Sequence, residues 1–419
     1  SNWRTSMSLP ERMMNNRGAL KIAGIAILSL TLLVPLNMID GLVGERQERE
    51  AGVKAEIELQ WGGEVTLQGP ILEIPSEGRM LYLYPENSSI RADLDVLERY
   101  RGLFRHPTYQ AALAVKAQYR LPELRSPLDL TAVRWIFIAD GEQAPSYITV
   151  GEGDARTQLP RESRYGRWLY SAPCDWGDDP EGSTANLTIE LPGAERFSIR
   201  PVARSSEVAL NGNWGTPSFV GDRLPTARTV EEGRFSSNWS LSGGGGTAFW
   251  GGFSEQVSPA QVGVRLLDPI SRYQVVTRTV KYAFLVIVLT FATFFLFEVM
   301  SGLHIHLVQY LLVGLALVMF YLLLLSQTEH MSFEAAYAIA SGAVVALVTV
   351  YTRAMLSTAR NAVLCGAGLA GVYGVLYPIL REEQYALLTG SWALFLLLAA
   401  VMWVTRKVDW SAVGRARTA

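Results

Sequence analysis

Uninterrupted apolar runs constrain this chain more than any other feature of it. Five follow Lys281, namely Tyr282–Met300, Leu307–Ser326, Phe333–Thr352, Asn361–Leu380 and Ala386–Thr405, and a sixth, Ile22–Ile39, lies near the start. A helix needs about 20 apolar residues to cross the hydrocarbon of a bilayer, so each run suffices for one crossing. The composition agrees: 18% of the residues are charged, against about 25% in a typical soluble domain. The first run is longer than the core of a signal peptide and no A-x-A cleavage site follows it, so it reads as an uncleaved anchor. Pro35 sits near its outer end, where a kink costs least.

From Asp40 to Lys281 the chain is polar, and its apolar residues alternate with a period of two. Val53–Leu59, Glu64–Leu67, Met80–Tyr84 and Asn186–Leu191 all read as half-buried strands. Trp61-Gly62-Gly63, Gly69-Pro70, Leu121-Pro122, Leu191-Pro192-Gly193 and Asn211-Gly212-Asn213 read as the turns between strands. Asp93–Tyr100 is the best exception, with a helical pattern. The expected architecture is six transmembrane α-helices with a large all-β, sandwich-like extracytoplasmic domain inserted between helices 1 and 2. The boundaries are residues 1–21 for a cytoplasmic lead, 22–39 for the anchor, 40–281 for the β domain, 282–405 for five helices and 406–419 for a cytoplasmic tail. Orientation follows from the short loops. With the amino terminus inside, the inner segments hold ten lysines and arginines and the outer short loops hold only Arg381. That asymmetry satisfies the positive-inside rule, from which long translocated domains are exempt.

Few residues offer chemistry. A net charge of −2 and the lack of a basic run leave no electrostatic footprint for nucleic acid. Gly243–Gly246 is followed by no lysine in phosphate-loop spacing and reads as a flexible loop. The rings around it, Trp239, Phe249, Trp250 and Phe253, suit either a membrane interface or ordinary hairpin packing. Asp175, Asp178, Asp179 and Glu181 lack the alternation and glycine of a calcium loop and read as a solvated turn. His106 is the single histidine of the polar region and no G-x-S-x-G occurs, which disfavours nucleophilic hydrolysis. His304 and His306, with Glu298, make at most half a metal site. Cys174 and Cys365 fall in different compartments, so no disulfide is expected. Neither cofactor nor metal is expected, and the chain reads as non-enzymatic.

The apolar region also carries a recognisable signature. Phe294-Phe295-Leu296-Phe297-Glu298, then His306-Leu307-Val308-Gln309-Tyr310-Leu311-Leu312-Val313-Gly314-Leu315, Phe320–Leu325 and Glu329-His330 resemble the CreD family of bacterial inner-membrane proteins. The similarity extends to Gly69–Pro75 and Pro217–Pro225 and covers nearly the whole chain. It implies an envelope-integrity protein of the inner membrane, associated with a two-component regulatory system and with tolerance to colicin or other envelope stress. It implies no catalytic residue. The expected partners are the lipid bilayer and an unidentified periplasmic or membrane protein. A transporter or lipid-handling protein is the alternative, although the ionisable residues of the apolar region all lie near helix ends.

In the third apolar run, His306, Gln309, Tyr310, Val313, Gly314, Leu317, Phe320 and Tyr321 recur at three- and four-residue spacing and share one face. That face is expected to meet protein, with Gly314 allowing close approach. The short Ser301–His306 turn brings Glu298 to the level of His306, Gln309 and Tyr310, which predicts a hydrogen-bonded structural cluster of these four residues.

Overall fold

The computed structural model describes residues 17–122, 128–141, 144–152, 155–164, 166–174, 183–242, 248–250, 260–266, 272–301, 305–355 and 359–381; beyond these, only 388, 391, 392, 395, 399, 402 and 406 are described. The chain divides into two compact units, Glu50–Pro269 and the pair of segments Ser1–Arg49 and Ile270–Ala419. The sequence reading drew the corresponding limits at 40 and 281.

The helical unit begins with α1 (Arg17–Thr31), followed by α2 (Leu33–Trp61). Pro35 has no N–H to offer the Thr31 carbonyl, and the helix is interrupted there only at Leu32. Bonds from Leu32 N to Leu28 O (3.0 Å) and from Leu36 N to Leu32 O (3.3 Å) carry the backbone past the break. After the β unit come α3 (Arg272–Lys281), α4 (Ala283–Ser301), α5 (Leu307–Thr328), α6 (Phe333–Met355) and α7 (Ala359–Arg381). Among the described residues, four helices are long and apolar enough to cross a membrane, and a fifth span results if α3 and α4, bent by 42°, are taken together. Most of the expected last run, 386–405, lies outside the described residues.

The β unit contains two sheets. The first, of nine strands, runs in the order Pro217–Gly221, Val262–Leu266, Arg196–Arg200, Val65–Ser76, Arg134–Asp140, Arg167–Pro173, Glu162–Arg164, with Arg79–Leu83 and Ala248–Trp250 attached beside Val65–Ser76. The second, of eight, runs Ala227–Glu231, Arg234–Ser242, Ser205–Gly212, Asn87–Arg101, Phe104–Tyr119, Ser183–Ala194, Tyr147–Glu152, Ala155–Pro160. Leu72, Phe137 and Phe197 from the first share one apolar core with Ile90, Leu113 and Leu187 from the second. Period-two alternation buries one side of each strand, as it does along Asn87–Arg101.

Several local expectations are corrected. Val53–Leu59 is not a strand but the last turns of α2. Its Lys, Ala, Glu and Leu residues are good helix formers, and a helix already nucleated upstream extends through them at little cost. Asp93–Tyr100 is not helical but part of the long strand Asn87–Arg101. Ile90, Ala92, Leu94 and Val96 are its buried positions, and pairing with Phe104–Tyr119 and Ser205–Gly212 overrides the helix propensity of its Leu, Glu and Arg residues. Gly69-Pro70 does not end a strand; it marks a register shift inside Val65–Ser76. Likewise Pro192-Gly193 lies within Ser183–Ala194. Gly193 is needed there because a Cβ would run into the Tyr109 ring, whose hydroxyl donates to Arg196 O at 2.8 Å.

Candidate functional site

The described charged groups of the helical unit flank its long apolar stretches. Glu298, near the end of α4, is buried among apolar neighbours and accepts a hydrogen bond at Oε2 from the Tyr310 hydroxyl of α5, at 3.0 Å. Its Oε1 pairs with the Lys21 ammonium of α1, which also donates to Ile305 O at 2.8 Å. Phe291 and Phe294 stand edge-on to the Tyr310 ring, with centroids 5.5 and 6.4 Å away. The carboxylate thus meets a cation and a hydroxyl inside an aromatic sleeve, where both interactions gain from reduced water access.

His306 and Gln309 take a different role from the one expected. His306 caps α5: its Nδ1 accepts from Val308 N at 3.3 Å, while Gln309 Oε1 accepts from His306 N at 2.9 Å. They form a capping box. Of the four residues expected to cluster, the structure bonds Glu298 to Tyr310 and His306 to Gln309, as two adjoining pairs. Gly314 permits the close approach: a Cβ there would overlap Leu32 and Phe291. Leu20, Lys21, Ile305, His306 and Leu307 line an open depression of ≈ 390 Å³ beside the clasp.

A second clasp lies about 25 residues further along the α1–α2 path, where Arg46 Nε pairs with Glu329 Oε1 at 3.2 Å. Tyr273 of α3 donates to the same oxygen at 3.4 Å, and Gln47 donates to Thr277 at 3.3 Å. At 1.5 Å per residue the two clasps stand about 37 Å apart along the helix. That length spans the hydrocarbon of a bilayer and reaches into both headgroup layers. Sequence reading missed Lys21 and Arg46, because their partners lie more than 270 positions away in the chain.

In the β unit the aromatic candidates separate. Trp239 is buried, donates its indole N–H to Arg223 O at 3.0 Å and stands edge-on to Phe219. Phe249 packs edge-on against Tyr84 at 5.5 Å, and Trp250 is 42% exposed. Phe253, Gly243–Gly246, the acidic residues at 175–181 and His304 lie outside the described residues. Both cysteines are buried, and no disulfide joins them. One group of metal-ligating character does form there: Glu58, His106 and Glu195 place ligand atoms within 4.8 Å of one another.

The inner-membrane family model "Inner membrane protein CreD" matches residues 17–411. The chain belongs to the CreD family. The Escherichia coli (strain K12) inner membrane protein CreD is 32% identical over 423 residues, covering 91% of each chain. The CreD match therefore includes both clasps and the entire β unit. Among solved structures, an M1 zinc metallopeptidase from Deinococcus radiodurans aligns at 9% identity with a TM-score of 0.21, covering 44% of this chain and 42% of that one. A likeness that slight carries nothing about fold or chemistry.

Proposed function

We propose that this CreD family member is a non-enzymatic envelope-integrity protein. In this reading six spans hold it in the inner membrane with both termini cytoplasmic, and the β domain stands in the periplasm, where it engages a protein or lipid partner and supports tolerance of colicin or other envelope stress. The observation that carries the reading is the placement of charge. Among the described residues of the helical unit, the charged groups flank the long apolar stretches, and Lys21, Glu298, Arg46 and Glu329 are spent on tying helices together. Transporters place such groups at mid-depth, facing a cavity. A bundle clasped at both faces is suited to holding a domain in place.

The reading is tested in cells. Photo-crosslinkers at exposed β-domain positions such as Leu224 and Thr226 should capture a discrete envelope component, and a deletion strain should lose tolerance that the wild-type gene restores. Normal tolerance in the deletion strain, together with no crosslinked species, would defeat it. One observation favours the lipid-handling alternative: the buried hydroxyls of Tyr321 and Tyr373 have no hydrogen-bond partner within the bundle of described helices. Lipid movement catalysed by the protein in reconstituted vesicles, lost in Tyr321→Phe, would favour that alternative.

A further inference from the structure

Three segments distant in sequence meet at the end of α2 inside the β unit. Gly62 N bonds to Glu58 O at 2.9 Å and ends the helix, and Ala194 N bonds to Gly63 O at 3.0 Å, bringing residue 195 beside that end. Glu195 N then donates to Pro107 O at 3.2 Å, which sets Glu195 next to His106. Backbone bonds therefore bring the three residues together independently of any interaction among their side chains. Glu195 holds a left-handed conformation at φ 59°, uncommon for a residue other than glycine, and its carbonyl also accepts Leu266 N at 2.7 Å.

His106 is 7% exposed, and its Nε2 is buried without a hydrogen-bond partner. That nitrogen faces Glu58 Oε1 at 3.5 Å. Two carboxylates share this partly buried space with one compensating cation, the Lys54 ammonium, which pairs with Glu195 and lies 3.9 Å from Glu58. A monovalent ammonium neutralises one of the two carboxylates. The buried imidazole nitrogen and the second carboxylate are left uncompensated, and burial makes such a deficit costly.

We propose that Glu58, His106 and Glu195 form a binding site for a divalent transition-metal ion of the zinc class, with Lys54 as a built-in competing cation that moves aside when metal binds. One imidazole and two carboxylates are a donor set zinc accepts. Bonds of about 2.0 to 2.2 Å in tetrahedral geometry put donor atoms about 3.3 to 3.6 Å apart. The His106–Glu58 separation already has that value, and the widest separation in the trio, within 4.8 Å, needs only a rotamer adjustment of a carboxylate. The ion would take the Nε2 lone pair and one oxygen of each carboxylate, leave a fourth position to water, and neutralise both carboxylates. Because Glu58 belongs to α2 and the other two ligands to the sheets' connections, the ion would fasten the helix end to the β unit.

The test uses the full chain purified in detergent, titrated with Zn²⁺ against a chromophoric chelator and with Co²⁺ read by visible absorption. The expected result is one ion per chain with a tetrahedral Co²⁺ spectrum. His106→Gln should weaken binding by more than about 100-fold, beyond the range typical of losing an outer-shell partner. Glu195→Gln should also weaken it. Lys54→Met should tighten it about tenfold by removing the competing charge, an effect that a purely structural ion-pair network does not produce. Melting curves in chelator establish that each variant is folded, and Glu195→Gln carries the test if His106→Gln is not. No stoichiometric binding by the wild-type chain, unchanged affinity in the ligand variants, or weaker binding in Lys54→Met would each overturn the proposal.

Discussion

At the scale of single residues, Glu298 is the buried acceptor for both a cation and a hydroxyl. Glu298→Ala removes the carboxylate that pairs with Lys21, leaves the buried Tyr310 hydroxyl without its acceptor and should cost about 2 kcal/mol. Tyr310→Phe removes one donor and keeps the ring against Phe291 and Phe294, so it should cost about 1 kcal/mol. Chemical unfolding of the two variants in mixed micelles measures the difference, and equal losses would mean that the Lys21 pairing contributes nothing. Titration gives a separate residue-scale prediction for the β unit. Burial pushes the Tyr84 hydroxyl up to about 12 against the opposing charge of Arg167, and burial also raises Tyr109 and Tyr119. The folded state therefore favours the neutral phenols. Their contribution is complete below the ordinary value near pH 10 and is lost as pH rises from there to about 12 and beyond. The melting temperature, followed by circular dichroism at strand wavelengths, should fall across that interval. A flat profile from pH 10 to 12 would contradict the burial of these rings.

At the scale of elements, the sequence was legible where one signal dominated and misleading where two competed. Run length located α4, α5, α6 and α7 within a few residues, because a single apolar segment of that length satisfies its own backbone only as a helix. Val53–Leu59 alternates like a strand, yet it continues a helix already begun, and Asp93–Tyr100 has helix-favouring residues, yet it has strands on both sides to pair with. Neighbours in space decided both, and a sequence does not display them. The same holds for the sites. Glu298 and Tyr310 could be brought together on paper because only a short turn separates α4 from α5, whereas Lys21, Arg46 and the trio at 58, 106 and 195 depend on tertiary approach. The close packing at Gly314 was legible from its place on the polar stripe, and it yields an element-scale prediction. Gly314→Val drives a methyl into Leu32 and Phe291 and should destabilise the bundle by about 1–3 kcal/mol. The loss should appear in detergent melts of the full chain, while strand signals from the β unit persist. A melt equal to wild type would show that the helices are not tightly apposed there.

At the scale of the whole molecule, the proposed division of labour, a helical unit that holds and a β unit that engages, requires the β unit to lie on the periplasmic side of the inner membrane. In the proposed topology the positive-inside bias puts the Lys21–Glu298 level at the cytoplasmic face, and the Arg46–Glu329 level, about 37 Å further along one helix path, at the periplasmic face. Labelling of intact cells with a membrane-impermeant maleimide tests this most directly, using single-cysteine variants in a background where Cys174 and Cys365 are replaced by serine. His330→Cys, beside the Arg46–Glu329 clasp, and Thr226→Cys, exposed on the β unit, should react, while Ala354→Cys, in the last turn of α6, should react only after the cells are opened. Labelling of Ala354→Cys in intact cells, with His330→Cys and Thr226→Cys protected, would place the β domain in the cytoplasm and contradict the account.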